Sequence, residues 1–432
     1  MTPATSVAVA SAGFAEPAAL ALMLGCFGLL AVWRRWPIGL ALVAAAWAGA
    51  AFAGDWLPAR HLVEGAFSYL DPILVIAAAM IFMRLLADGG ALGAIGASVE
   101  RAFGHRPALL LPVLMLIVMF PGMITGSSTA SVLTTGTMAG SILLGLGLPR
   151  ERAAAVVAMG GVLGMIAPPI NIPAMIIGTG IDLPYVGFGA PLALASFPLA
   201  IVLVYALAWP VLRHKGTRSP ATAGPPMPIW RALTAPLVAA VIMAAPRVWP
   251  LALPDPGLPL TFVMAAGVCV LLSPRFPVWR ALLRATEEAL PVLGILTGVG
   301  AFIQVMTFTG ARGWLVSVMF GAPSWAIVAA AAVGIPLFGA VSAFGSASVL
   351  GVPFLLAMLG RNEVVTTAAL SMLASLGDLM LPAALAATLA AQAVGVADRR
   401  RVLALCALPA LAVAAVAVAM LIFSTELGRI LR

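Results

Sequence analysis

"AMGGVLGMIAPPINIPAM", residues 158–175, places three prolines in a stretch otherwise apolar enough to lie inside a bilayer. Pro168, Pro169 and Pro173 supply no backbone N–H and clash with carbonyls one turn back, so a helix predicted over 153–181 is interrupted near its middle. Hydrocarbon offers freed backbone groups no partner, and such a break survives only where protein buries it or a cavity solvates it. The stretch also recurs. In "SMLASLGDLMLPAALAAT", residues 371–388, Met372, Leu376, Gly377, Pro382 and Ala387 each fall 213 residues after Met159, Leu163, Gly164, Pro169 and Ala174. A second helix, predicted over 364–395, is thereby interrupted at Gly377, Asp378 and Pro382.

Composition sets these two breaks in a membrane. Of 432 residues 63% are hydrophobic and 9% charged, with a mean hydropathy of +1.13. The lipid bilayer is therefore the solvent, and no polar stretch is long enough to form a soluble domain. The net charge of +8 is spread over short loops without interleaved aromatics, which excludes a nucleic-acid surface. Cys26, Cys269 and Cys406 each sit in an apolar run and imply no disulfide framework. The first apolar run has no basic residue before it and Arg34 and Arg35 after it, which predicts a retained helix, not a cleaved signal.

Apolar runs predict crossings near 16–33, 37–54, 70–88, 153–181 and 188–212. Beyond a cytoplasmic linker at 213–229, further crossings are predicted near 230–246, 258–273, 286–308, 364–395 and 402–424. Two longer segments, 107–148 and 324–360, have Gly, Ser and Thr at their middles and read as re-entrant helical hairpins. Alternating sides along this plan gathers sixteen Lys and Arg on one side and six on the other, Arg84 being left within a helix. The positive-inside rule makes the first side cytoplasmic and both termini periplasmic. Phe82, Gly90 and Gly93 recur 220 residues later as Phe302, Gly310 and Gly313, and "TASVL" at 129–133 recurs as "SASVL" at 346–350. The expected fold is an all-α polytopic membrane protein of two repeats, 1–212 and 230–432, each with five crossings and one hairpin. An odd number of crossings inverts the second copy.

Broken helices at matching places in inverted halves point to a transporter binding site, since half-helix N-termini suit anions and freed carbonyls suit cations. "GMITGSSTASVLTTG", residues 122–136, puts seven hydroxyls and no charge at the first hairpin. Ser127, Ser128 and Thr129, with Ser346 and Ser348 at the second hairpin and Asn171 in the first break, are the candidate substrate contacts. Asp378 is the one acidic residue well inside a predicted crossing; an ionised carboxylate there costs at least ~2.5 kcal/mol. It is the candidate ligand of a coupling cation or a group protonated in one state. Sodium fits such hard oxygen ligands. Arg84 and Asp88, one turn apart, are expected to pair. Lys215 lacks the glycine spacing of a phosphate loop, and His61, His105 and His214 fall in predicted loops, so neither an ATP-driven pump nor a His-based site is supported. "YLD" at Asp71 and "LGD" at Asp378 are a fainter echo of intramembrane aspartyl proteases.

"GMITGSSTASVLTTG", "GLPRERAAAVVA" and "GMIAPPINIPAMIIGTGI" together resemble the large membrane (permease) subunit of tripartite ATP-independent periplasmic (TRAP) transporters, within the ion transporter superfamily. The resemblance is sharpest over 120–190. It implies an inner-membrane transporter, not an enzyme, with an elevator mechanism and sodium-driven uptake of a small organic anion such as a C4-dicarboxylate. It also implies a small membrane subunit, a periplasmic substrate-binding protein and no cofactor besides the coupling sodium. Carried over by position, it puts Gly126, Ser127 and Ser128 at the first tip and Pro168 and Pro169 at the first break, as sodium and substrate contacts. Gly345 and Gly377 are their candidate cation-binding counterparts in the second half. The chain departs from the family pattern at Ile170, where Ser is usual, at Leu381–Ala384, where Pro-Pro-x-Gly is usual, and at Gly345 and Ser346, where an Asp is usual. A stand-alone symporter of the same superfamily and proton coupling through Asp378 are the alternatives.

Overall fold

The computed structural model describes residues 3–212, 227–249, 253–272 and 277–431. Most of the expected linker, with His214 and Lys215, lies outside the described residues, as does Arg275. The described residues are helical and contain no strand. Among the described residues seven helices are long and apolar enough to cross a membrane: Ala15–Trp33, Leu70–Asp88, Pro107–Thr125, Gly189–Pro210, Ile229–Pro246, Val278–Phe308 and Arg399–Ile422. The protein is a multi-pass membrane protein. Other expected crossings are short, such as Ile38–Phe52 and Gly257–Leu272, or divided, as at the two breaks.

Helix Val278–Phe308 runs for 31 residues, starting earlier than the expected 286. Its N-terminal turns are too polar to read as a crossing, but their charges have partners. Arg84 donates to Glu288 at 2.7 Å, and Asp88 meets Arg84 at 3.0 Å and Arg284 at 3.6 Å. The expected Arg84–Asp88 pair is thus one part of a four-residue network. In the first half the corresponding stretch is divided at Tyr69 into Ala59–Ser68 and Leu70–Asp88. His61 consequently lies within a helix and not in a loop, its ring 4.2 Å from that of Phe308. Gly90 and Gly310 both adopt left-handed backbone, with φ of 81° and 73°, and each starts a short helix, Ala91–Phe103 or Ala311–Phe320.

Two groups of helices form around different contacts. In the first, Ile38–Phe52 and Ala59–Ser68 cross Val278–Phe308 through glycines: a Cβ on Gly39 would lie 2.3 Å from the Gly294 carbonyl oxygen, and one on Gly65 2.4 Å from that of Gly300. Close backbone approach is the usual route to tight helix packing in lipid, where apolar area alone drives nothing. The second group contains the hairpins and the broken helices. Arg150–Ile166 is buried from Ala153 onward on every side, as a helix enclosed by others must be. Gly122 approaches the backbone of Gly164, and Gly339 that of Gly377, so each hairpin meets the broken helix of its own half through small residues.

At this crossing a Cβ on Gly298 would also strike the Gly39 carbonyl oxygen, at 2.5 Å, whereas one on Gly294 meets nothing within 4 Å. Gly39→Ala is expected to destabilise the protein by about 1–3 kcal/mol through forced helix separation. Gly294→Ala should be neutral. Thermal unfolding of the two variants in one detergent checks the difference.

Candidate functional site

The first hairpin descends as Pro107–Thr125, turns at Gly126, and returns as Ser128–Gly145. Gly126 has φ of 64°, and a Cβ there would strike Ile172 at 2.4 Å; both the conformation and the space require glycine. Ser127 caps the return helix by accepting from the Ala130 N–H at 3.3 Å. Ser131 accepts from the Gly122 N–H at 2.7 Å and ties the two arms together. Thr125, Thr134 and Thr135 donate to carbonyls one turn back. Most of the seven hydroxyls therefore build the hairpin. Two do not. Thr129 is half-buried without a side-chain partner among the described residues, and Ser128, 1% exposed, donates to Asp378.

At the first break the N–H groups of Ile170 and Asn171 have found new partners. The Ile170 N–H donates to the Met123 carbonyl at 3.1 Å, and the Asn171 N–H to the Tyr185 hydroxyl at 3.0 Å. Asn171 caps half-helix Ile172–Thr179 by accepting from the Ala174 N–H at 2.9 Å. Its amide donates to the Ile166 carbonyl at 3.0 Å and to Ser371 at 2.9 Å, which links the two broken helices. The Asn171 side chain is thus engaged within the protein. Pro168 and Pro169 still leave the Gly164 and Met165 carbonyls without their usual N–H donors.

The second break is built more loosely. Helix Glu363–Ser375 passes into a tight turn, Leu376–Leu379, and half-helix Leu385–Val394 starts after Ala384 with no side-chain cap. Ala384 is left-handed, with φ of 43° and ψ of 50°, at a position where glycine would be free of strain. Met380, Leu381 and Pro382 are exposed, whereas the first break is mostly buried. Asp378 has Ser128 as its side-chain partner and no ion pair among the described residues.

At the second hairpin, Ser324–Gly339 leads to Ser342, which caps Ala343–Ser346 by accepting from the Gly345 N–H at 3.1 Å. Ser346 donates to the Ile335 carbonyl at 2.5 Å, across the hairpin, and Ser348 to the Gly345 carbonyl at 2.8 Å. Ser346 therefore plays the arm-tying part of Ser131, two residues out of the "TASVL" and "SASVL" register, beside a one-turn π-helix at Ala347–Gly351. Each return arm packs on the half-helix of the opposite half. Gly136 and Gly140 lie against Ala393 and Val394, and Gly351 and Val352 lie against Ile177 and Gly180.

Sequence reasoning missed the groups that hold this assembly. The chain has three tyrosines, and each hydroxyl meets backbone in the second group of helices: Tyr69 donates to Ile176 at 3.0 Å, Tyr205 to Ala108 at 2.6 Å, and Tyr185 accepts from Asn171. Their scarcity in so apolar a chain was the available signal. Arg312 donates to the Gly180 carbonyl at 2.6 Å, and Arg399 reaches Thr388 at 3.2 Å, one turn into the uncapped half-helix.

Two hairpins whose return arms pack on two interrupted helices, with seven bilayer-length helices among the described residues, define a membrane transporter architecture. The sequence belongs to the tripartite ATP-independent periplasmic transporter family, DctM component, matched over residues 23–427. It is thus an inner-membrane transporter component and not an enzyme. The fold is similar to that of the Alcanivorax borkumensis YdaH transporter, with a TM-score of 0.65 and 17% identity over 87% of this chain and 90% of that one. Neisseria gonorrhoeae MtrF, described as representing a class of antimetabolite efflux pumps, is similar with a TM-score of 0.58 and 14% identity over 86% and 85% of the two chains. No curated protein sequence matches.

Ala384→Gly is expected to leave thermal stability nearly unchanged, because relief of ~1–2 kcal/mol of left-handed strain offsets the added chain entropy. Ala387→Gly, inside the same half-helix, should cost about 1 kcal/mol. Melting both variants beside wild type checks the sign of the difference.

Proposed function

We propose that the chain is a secondary transporter that imports a small organic anion, C4-dicarboxylate-like, together with sodium. The observation that carries this reading is the Ser128–Asp378 contact. It joins the first hairpin tip to the second helix break, 250 residues away, around a carboxylate with no cationic partner among the described residues. A carboxylate so placed calls for a cation or a proton. The hydroxyl and carbonyl oxygens of Ser127, Gly126, Gly345 and Gly377, with the carbonyls freed by Pro168 and Pro169, are hard ligands suited to sodium.

The anion is assigned to the second break. There the uncapped N-terminus of Leu385–Val394 offers unpaired N–H groups, and Ser128, Thr129, Ser346 and Ser348 supply hydroxyls. Asn171 supports this site from behind, by holding the first half-helix to Ser371. Transport proceeds as an elevator in an inverted repeat with both termini periplasmic. The group of hairpins and broken helices moves against the group built on Val278–Phe308. In that motion the Tyr69–Ile176 bond, which joins the two groups, must break. As a member of a tripartite system the chain works with a small membrane subunit and a periplasmic substrate-binding protein.

The thermal midpoint of the purified protein in sodium and in potassium, at equal ionic strength, tests the coupling ion. Sodium at ~100 times its dissociation constant should add about 2.7 kcal/mol of stability, and Asp378→Asn should remove most of it. Equal midpoints in the two salts would overturn sodium coupling and favour a proton carried by Asp378.

A further inference from the structure

Arg361 lines two adjoining cavities. One is a groove of about 450 Å³ between helices Ser324–Gly339 and Arg399–Ile422, walled by Val328, Ala332, Val418 and Ile422. Trp325, 73% exposed, stands at its mouth on the first turn of its helix, where indoles mark the border of membrane and water. The other cavity, about 220 Å³, is lined by Arg361, Arg429, Asn362, Thr425 and the glycines Gly360 and Gly428, and so has two guanidinium groups on its wall. Arg361 donates from Nη1 to the Leu421 carbonyl at 2.5 Å, which pins the guanidinium at the end of helix Arg399–Ile422 with its other N–H groups uncommitted. Arg429 is exposed and makes no ion pair among the described residues. Glu363 and Glu426, the nearest acids in sequence, are exposed and pair with neither arginine.

We infer that these joined cavities hold one anionic phospholipid, its phosphodiester between Arg361 and Arg429 and one acyl chain along the groove. The placement in the outer leaflet rests on the proposed topology, which puts both arginines on the cation-poor side. Two of its six cations converge on one pocket there, which a topology signal does not require. Charge complementarity selects an anionic headgroup, and basic pockets between transmembrane helices are suited to one. Such a lipid would bridge the second hairpin to the last long helix.

Native mass spectrometry of the purified, delipidated full chain tests this with phosphatidylglycerol and phosphatidylcholine of matched acyl chains. Wild type is expected to retain phosphatidylglycerol in preference to phosphatidylcholine, and Arg429→Gln to weaken that retention about fivefold, the scale of one basic residue near an anionic headgroup. Ala332→Phe, which fills the groove and spares both arginines, should weaken it as well. Because Arg361→Gln would also release the Leu421 carbonyl, the exposed Arg429 carries the test. Equal retention of the two lipids, or an unchanged Arg429→Gln, would overturn the proposal. So would displacement of the lipid by inorganic phosphate alone, which would mark a free-anion site. Crosslinking of the small membrane subunit to a cysteine at Val418 in the assembled complex would assign the groove to protein instead. No transport or sodium readout enters, so failure of the proposed function leaves this result independent.

Discussion

The structure turns on two places where a helix stops inside a medium that cannot hydrogen-bond it. Each break frees backbone groups that lipid would leave unpaired, and the rest of the second group of helices is arranged to meet them. At the first break Met123, Tyr185 and the Asn171 side chain take over the displaced bonds, and Ser371 of the other half takes the remaining amide hydrogen. Small residues follow from the same need, since Gly122 and Gly339 can approach Gly164 and Gly377 closely only without side chains. The hairpins thus serve first as enclosures for broken backbone.

The two halves solve the problem unequally. The first break is buried and capped, its half-helix fixed by Asn171, Tyr69 and Arg312. The second is exposed at Met380, Leu381 and Pro382, has no side-chain cap, and holds Ala384 in a conformation costly for any residue with a Cβ. Unmet hydrogen-bonding capacity and local strain fall together at Asp378 and the start of Leu385–Val394. Stability is concentrated in one half and unspent binding capacity in the other.

Much of this was legible in the sequence because prolines, glycines and charges stand out against so apolar a background. Pro168, Pro169 and Pro382 marked both breaks, and Gly90 and Gly310 marked the same left-handed turn in each half. Patterns that rest on apolarity were poorer guides. Val278–Phe308 starts among Arg and Glu residues that read as loop, because their partners, Arg84 and Asp88, lie some 200 residues away. The hairpin register slipped for a different reason: "SASVL" resembles "TASVL", but a π-helix follows Ser346, so hydrogen bonding matches Ser346 with Ser131 and not with Thr129. The hydroxyl cluster at 122–136 was visible, but which of its members face a partner and which close their own helix depends on turn geometry that composition does not encode.

The cross-packing of the halves bears on how a site without fixed positive charge inside the membrane could be switched. Each return arm packs on the half-helix of the other half of the chain, and Ser128 reaches Asp378 across that boundary. In the proposed sodium-coupled cycle, a change of partner at Asp378, from the Ser128 hydroxyl to a bound ion, would be felt at once by a hairpin of one half and a break of the other. An arginine at the same place would hold the carboxylate whatever was bound, whereas a hydroxyl satisfies it weakly enough to be replaced. In a transporter that must release what it binds, the weaker partner is the physically better choice. It also accounts for a hydroxyl and not a charge at Ser128, where the tip meets Asp378.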